Sequence, residues 1–402
     1  MGSLLDGQVS LNPVVTLYSP ESRTGMQSTL DDVLDLFVNY THVKRLPAEQ
    51  AYKIADAHLI GALWAVGTWF VTDCQAYPYL MITAPEKNSG KSTAQQLLFH
   101  VVKDPLKTSN LTAAAVYHSC KDKPTMLIDE VDTFIAGDPA LIGVLNSGYT
   151  ADGTVARVNS KKRKLETFST YCAKSLSGIK AGDVSDTLES RSLVMTMERK
   201  PEHVKLRDLD NLDENPAHAQ QLLSANAKIA AAYNDYQHAF SELKLDLPDW
   251  LQNRNRQLWK PLLKLAYLGG DEWYSSTLRA AKNHCDKQKK ADAEDNLLAD
   301  IRDVFDINPE AGFIRSVDLI KHLCADSLKK WATYNKGKSI IEKQVANLLK
   351  PHGIEPRRNK EQTARGYFRS DFEDSWASYA PREFAVYPSI NGVEQATMRV
   401  VW

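Results

Sequence analysis

The residues with the clearest chemistry are a lysine, a hydroxyl and two acids held at fixed spacing. The segment Ala84-Pro-Glu-Lys-Asn-Ser-Gly-Lys-Ser-Thr93 ends in Gly90-Lys91-Ser92, and Asp129-Glu130 begins 38 residues after Lys91. Gly-Lys-Ser at the end of such a loop is the phosphate-cradling half of a P-loop. Backbone N–H groups of Asn88 to Ser92 wrap phosphates there at a helix N-terminus. Lys91 then reaches the β- and γ-phosphates and the Ser92 hydroxyl ligates magnesium. Lys87, Asn88, Ser89, Gly90 and Thr93 complete the nucleotide-binding set. Asp129 is placed to hold the magnesium shell, and Glu130 to polarise an attacking water as general base. The expected chemistry is binding of ATP with Mg2+ and hydrolysis of the terminal phosphate. Pro85 stands where the usual G-x-x-x-x-G-K-[ST] has its first glycine, which stiffens the loop entry.

These side chains need a strand before the loop, a helix after it and a second strand to carry the acids. Tyr79-Leu-Met-Ile-Thr83 is apolar and reads as a buried strand. From Ser92 onward, Leu97, Leu98, Val101 and Val102 fall on one side of a helix. Thr125-Met-Leu-Ile128 is the apolar strand that ends at Asp129. Ala173 to Ile179 reads as another core strand whose polar residue Ser177 is placed to sense the γ-phosphate. Arg191 lies just before a further apolar strand. It is either an arginine finger aimed at a neighbouring subunit's γ-phosphate or a structural ion pair. Asp152 to Val158 and Leu165 to Tyr171 flank Asn159-Ser-Lys-Lys-Arg-Lys164 as a hairpin. Its tip cations Lys161, Lys162, Arg163 and Lys164 are either a solvated turn or a grip on a nucleic-acid backbone.

Composition sets the frame. The 402 residues suffice for two or three domains, and 43% apolar with 25% charged residues is ordinary for a globular protein. A net charge of −1 excludes a uniformly basic nucleic-acid coat, so such affinity must come from local patches. Cys74, Cys120, Cys172, Cys285 and Cys324 form no CxxC pair, which argues against a zinc site or disulfide framework and fits a reducing cytoplasm. No secretory leader is legible, and Asp6 occupies the position where myristoylation needs Ser or Thr. The most apolar stretch, 54–71, is interrupted by Asp56 and His58. That leaves about 13 uncharged residues, too few to span a bilayer, and the stretch reads as a buried helix beneath the nucleotide-binding sheet.

The expected organisation is an irregular segment with helices over 1–76, a nucleotide core over 77–204, a helical lid over 205–290, a C-terminal module over 291–380 and a tail over 381–402. Residues 1–25 read as irregular, and Ser28-Thr-Leu-Asp-Asp32 as a helix start. In the C-terminal module, Ser316 to Leu323 and Ile340 to Leu349 read as paired helices, and Pro351 to Lys360 with Gly366 to Arg369 as a wing. Between Lys336 and Arg369 nine Lys/Arg face three Asp/Glu. That is the footprint of duplex or forked DNA, with Arg357, Arg358, Lys360 and Arg365 the expected contacts; a protein-interaction module with a solvated basic face is the alternative. The tail's Ala396 to Trp402 alternates weakly, like a strand.

An apolar run ending in Asp-Glu after a P-loop resembles the AAA+ ATPases. The ordered set Pro85 to Thr93, Pro124 to Phe134, Leu145-Asn-Ser-Gly148 and Asp186-Thr-Leu-Glu-Ser-Arg-Ser192 resembles an uncharacterised ATPase family of phages and mobile elements. In that family it is often the helicase half of primase-helicase fusions. The likeness extends through Leu247 to Leu262 and Arg365 to Phe372, covering roughly 30–380. The short spacing between the two nucleotide motifs is similar to superfamily 3 helicases, whose rings are usually hexameric. The resemblance implies an α/β P-loop fold with an AAA+-like parallel sheet, a helical lid and a winged-helix-like module. It further implies a homo-oligomeric ring acting as a DNA helicase or translocase in replication, with other replication proteins as partners. An initiator or helicase-loader ATPase shares every one of these motifs. Two departures are Pro85 and the lack of a clear asparagine for sensor 1. Arg254 and Arg256 are either a lid arginine touching nucleotide or a surface pair, and Trp259, Pro261, Leu262 and Leu265 are expected to pack a core.

Overall fold

The computed structural model describes residues 20–45, 49, 52, 54–135, 138–159, 164–179, 186–294, 297–307, 309–326, 329–335, 337–359, 361 and 363–379. Two compact units divide at Cys285/Asp286. The first opens with α1 (Pro20–Tyr40) and α2 (Asp56–Gly67). The expectation of a helix start at Ser28 is corrected: the helix begins at Pro20, suited to a first turn because its missing N–H would have no partner there anyway. Thr29 turns its hydroxyl onto the Gly25 carbonyl, one turn back, instead of capping. Met26, Leu30, Val33 and Phe37 are fully buried along one face.

The α/β core follows: β1 (Tyr79–Thr83), α3 (Lys91–Val101), β2 (Pro105–Thr108), α4 (Ala113–Ser119), β3 (Thr125–Ile128), α5 (Pro139–Ser147), the hairpin β4 (Thr154–Asn159) and β5 (Lys164–Ser169), β6 (Lys174–Ile179), α6 (Asp186–Glu189) and β7 (Ser192–Thr196). Five strands form one sheet in the order β2-β3-β6-β1-β7, all pairs parallel. Every residue of β1 and β3 is buried, as apolar runs in a sheet covered on both faces require. One face packs with α1, α2 and α3 into the larger core; Tyr79, Met81, Met126 and Ile128 face the other, with Leu141 and Val144 of α5. β2 was not legible as a strand. Its four residues, Pro-Leu-Lys-Thr, sit at the sheet edge with no residue fully buried, so no apolar pattern marks them.

Helices α7 (Pro216–Glu242), α8 (Asn253–Leu268) and the start of α9 (Asp271–Glu294), which runs past Cys285, complete the unit, broken at 243–252 and at Gly269-Gly270 as the sequence suggests. Trp259, Leu262 and Leu265 of α8 are fully buried in the larger core.

The second unit runs α10 (Leu297–Ile307), β8 (Phe313–Arg315), α11 (Ser316–Leu323), α12 (Glu342–Leu349), β9 (Arg357–Arg358), β10 (Arg365–Phe368) and α13 (Glu373–Tyr379). Its antiparallel sheet has the order β8-β10-β9. Trp331, Leu349, Tyr367 and Phe372 anchor its core. Buried Asp300 accepts from Trp331 Nε1 at 2.5 Å and pairs with Lys329, so a carboxylate inside this small core is fully engaged. The strand expected over 396–402 lies outside the described residues.

Candidate functional site

The loop after β1 gathers the predicted phosphate-binding residues at the carboxyl edge of the sheet. Asn88 and Gly90 both take positive φ, 59° and 84°, and α3 begins immediately at Lys91. Left-handed residues in a tight turn point successive N–H groups into one concavity, the backbone arrangement that holds anions. No side chain caps α3, so the first-turn N–H groups of the helix are left for another acceptor. Buried Ser89 donates to the Glu86 carbonyl at 2.9 Å and closes the loop on itself, which compensates for the missing first glycine at Pro85. Asn88, Ser89, Gly90, Lys91, Ser92 and Thr93 line one side of a cleft of about 590 Å³. Lys87 precedes them in the same turn and does not line the cleft.

The acids sit at the same edge, two strands away. Met81 and Ile128 both pair with Leu176, which sets the end of β3 level with Met81, two residues before the end of β1, with β6 between. At ordinary strand spacing that is about 10 Å, a gap for a lysine side chain and a phosphate chain. Buried Gln95 of α3 donates to the Ile128 carbonyl at 3.3 Å and ties the Ser92 face of the helix to the strand bearing Asp129. Asp129 Oδ1 accepts from the Ser177 hydroxyl and, at 3.0 Å, from the Glu130 N–H. Glu130 is exposed and adopts φ +53°, unusual for a non-glycine residue. Gly178 packs beneath it: a Cβ there would lie 2.8 Å from Glu130 Cα. Asp129, Glu130 and Ser177 are thus assembled by two adjacent parallel strands, β3 and β6.

The far wall of the cleft was not legible in the sequence. It is built by Tyr40, Thr41 and His42 at the end of α1 and by Glu198, Lys200, Leu206, Arg207 and Asp208 beyond β7. The two segments zip together through Lys44 N–H to Thr196 O at 2.8 Å, Glu198 N–H to His42 O at 3.2 Å and Arg207 N–H to Asn39 O at 2.9 Å. Burial pushes the Tyr40 phenol up, with the neighbouring Arg207 guanidinium pulling the other way. No local motif marks residues whose proximity exists only in the folded chain.

Arg191 is elsewhere. It lies at the amino end of β7, where its carbonyl accepts from Tyr79 N–H at 3.0 Å, so the length of β1 separates it from this chain's own loop. Its Nε donates to Asn146 O at 2.9 Å and its Nη1 to Thr187 O at 2.5 Å, with Tyr149 stacked 5.1 Å away. Burial first, then the charge of Arg254, pulls its pKa down. A carboxylate partner for Arg191 is absent among the described residues. Arg254 reaches Ser190 Oγ at 2.6 Å and does not line the cleft, and neither does Arg256.

Of the expected DNA contacts, Lys161, Lys162, Arg163 and Lys360 lie outside the described residues. Lys164 is exposed at the start of β5, opposite Asn159. Arg357 is committed to Asp371 at 2.5 Å and stacks 4.8 Å from Phe368. Arg358 and Arg365 face each other across β9 and β10, both exposed, with Arg365 Nε on the Pro356 carbonyl.

Among the described residues no group of three or more His, Cys, Asp or Glu gathers to hold a metal. Magnesium carried by phosphates needs only one or two protein oxygens, and Asp129 with the exposed Ser92 hydroxyl fits that donor set. No helix among the described residues is long and apolar enough to cross a membrane.

A family described as "Protein of unknown function (DUF3631)" matches residues 196–379. No curated protein matches the chain. Among solved structures, the A form apo structure of the NrS-1 C-terminal region is 13% identical, with a TM-score of 0.37, covering 83% of this chain and 77% of that one. An inhibitor-bound JCV helicase is also 13% identical, with a TM-score of 0.28, covering 63% of this chain and 67% of that one.

Proposed function

We propose that this protein is an AAA+-type P-loop ATPase that hydrolyses Mg-ATP at subunit interfaces of a ring and works on DNA as a helicase or translocase. The observation that carries the reading is the positive-φ turn at Asn88–Gly90 leading directly into α3, with the Asp129–Ser177 pair on the same sheet edge. Backbone N–H groups of the turn and the Lys91 ammonium bind the triphosphate, while the cleft wall of Tyr40 to His42 and Leu206 to Asp208 holds base and ribose. Magnesium, held by Ser92 and Asp129, would neutralise charge building on the transferred phosphoryl group. Ser177 fixes the Asp129 carboxylate, and Glu130 accepts the proton of the attacking water. Arg191 stands too far from its own cleft to serve it, which supports completion of the site by a neighbour.

The second unit supports the DNA part of the reading. Its order of helix, strand, two helices and a two-stranded hairpin, with β10 central, supports a winged-helix reading, in which Arg358 and Arg365 would ride on the wing. The test is steady-state ATP hydrolysis with and without single-stranded DNA, beside Lys91→Ala and Glu130→Gln. Hydrolysis stimulated by DNA, lost in Lys91→Ala and lowered about 10²–10⁴-fold in Glu130→Gln with binding retained, is expected. A Glu130→Gln variant that hydrolysed normally would overturn the mechanism. Hydrolysis indifferent to DNA would move the protein to the initiator or loader class.

A further inference from the structure

Lys174, the first residue of β6, is fully buried, and its ammonium is answered by dipoles alone. It donates to three backbone carbonyls, Thr170 at 2.8 Å, Cys172 at 3.1 Å and Gly148 at 3.3 Å, with the Tyr79 ring 5.3 Å away. Among the described residues it has no ion pair with a carboxylate. A buried charge without a counter-charge is costly, so a neighbour able to become negative is favoured. Tyr79 does not serve: burial pushes its phenol up, and its hydroxyl donates to the Leu145 carbonyl at 2.5 Å.

Two thiols meet the need. Cys120 Sγ lies 3.2 Å from Cys172 Sγ, and both residues are fully buried. The hydrogen bond from Cys172 pulls the Cys120 pKa down against burial, with the Lys174 charge acting the same way, while burial holds the proton on Cys172. As a thiol, Cys120 reaches the Thr170 carbonyl at 3.3 Å, the acceptor it shares with Lys174. Bonded sulfurs stand about 2 Å apart, so closure to a disulfide needs a movement of only about 1 Å.

The pair also occupies a strategic place in the sheet. Cys120 opens the turn Cys120–Asp122 that leads into β3, and Cys172 lies two residues before β6. The Met126 N–H donates to the Ala173 carbonyl at 2.9 Å, so the amino ends of the two strands already meet. Their carboxyl ends present Asp129 and Ser177. Lys121 and Asp122 are exposed, so opening this one turn uncovers the Cys120 sulfur.

We propose that Cys120 and Cys172 are a redox-active pair that closes reversibly to a disulfide with hydrogen peroxide as oxidant, and that Lys174 stabilises the reduced pair. The Cys120 thiolate attacks one peroxide oxygen; the S–O bond forms, the O–O bond breaks, and the departing hydroxide takes a proton from solvent to become water. The Cys172 sulfur then attacks the Cys120 sulfur. The S–S bond forms, the S–O bond breaks, and the Cys172 proton leaves with the second hydroxide as water. Each sulfur gives up one electron and the peroxide takes both. The bond joins residues 52 apart in sequence and staples the amino ends of β3 and β6.

The test uses the full chain, treated with hydrogen peroxide while folded, then denatured, alkylated and mapped by peptide mass. Cys120 is expected to be linked to Cys172, and dithiothreitol to reverse the link. Cys120→Ser and Cys172→Ser should each abolish it and leave the remaining thiol open to alkylation. Closure should raise the thermal midpoint of wild type by about 5 °C or more and that of neither serine variant. In a glutathione redox buffer, Lys174→Met should reach half-oxidation at an oxidant level at least about tenfold lower, because the reduced pair has lost its cation. Both thiols still open to alkylation after peroxide, or a link formed only after denaturation, overturns the pair. A lysine of merely structural importance leaves the glutathione balance unmoved, which overturns the part given to Lys174.

Discussion

Glu130 is one of five non-glycine residues with positive φ among the described residues. A glutamate at φ +53° is disfavoured by contact between its Cβ and its own backbone, and such conformations persist where surrounding structure over-determines them. Here the constraints are the bond from its N–H to Asp129 and the bare Cα of Gly178 beneath it. Gly178→Ala would place a Cβ 2.5 Å from Asp132 Oδ1 and 2.8 Å from Glu130 Cα, at φ +123°. Glu130, the proposed general base, would be displaced while the loop after β1, on a different strand, stays in place. Hydrolysis is expected to fall about 10²-fold, the usual cost of misplacing a catalytic group by about 1 Å. Nucleotide affinity should stay within about threefold. Rate and titration measured on one preparation check this; an unchanged rate would show that Glu130 does not depend on that floor. Lys91, Ser92 and Asp129 were legible in the sequence because a loop motif is local and carries its own geometry. Tyr40, His42 and Arg207 were not, because they meet only when the chain beyond β7 zips onto the end of α1.

At the scale of elements, α2 links the core to the cleft wall. His58 packs on this helix with its Nε2 3.2 Å from the Thr41 carbonyl, and Thr41 lines the cleft. Burial pulls its pKa from 6.5 to about 4, with His42 and Arg45 pressing the same way and the Thr41 carbonyl opposing. The neutral ring is the one the fold accepts. Because the folded pKa lies below the unfolded one, His58 contributes stability that is complete above pH 6.5 and is lost as pH falls towards about 4. The neutral ring's advantage is on the order of 3 kcal/mol, and less where solvent reaches the ring. Urea midpoints measured between pH 7 and pH 4 should therefore drop more steeply for wild type than for His58→Gln, which cannot charge. Parallel curves would remove His58 as the cause. α2 itself was legible from its apolar length, but β2 was not, since a short polar edge strand is defined by its neighbour and not by its own pattern. α1 was recognised and started eight residues late. Pro20 reads as loop punctuation until the helix after it is seen.

At the scale of the whole molecule, a chain of net charge −1 carries a local excess of nine Lys/Arg over three Asp/Glu between Lys336 and Arg369, and its arginines are of two kinds. Arg369 donates to Asp306 at 2.8 Å and to the Phe305 carbonyl at 3.1 Å while stacking near Trp376, and Arg357 is bound to Asp371. These arginines hold the unit together. Sequence counts them as part of the basic excess because the acids that neutralise Arg357 and Arg369 lie outside the 336–369 window, at Asp306 and Asp371. Arg358 and Arg365 are opposed and exposed on the hairpin, and in the reading proposed above they are the pair that would meet phosphates. The double variant Arg358→Ala/Arg365→Ala should weaken duplex DNA binding and flatten the plot of log affinity against log salt. The expected decrease in slope is about 2, since each phosphate contact releases about one counterion. Unfolding of the second unit should be little changed. Arg369→Ala should do the reverse, lowering stability by about 0.5–1.5 kcal/mol through the lost bonds to Asp306 and the Phe305 carbonyl, with any loss of DNA binding tracking loss of fold. DNA titrations at four salt concentrations, with thermal unfolding of the same samples, separate the two. An unchanged slope in the double variant would remove the hairpin from the DNA surface and leave this unit's cations as solvated charge.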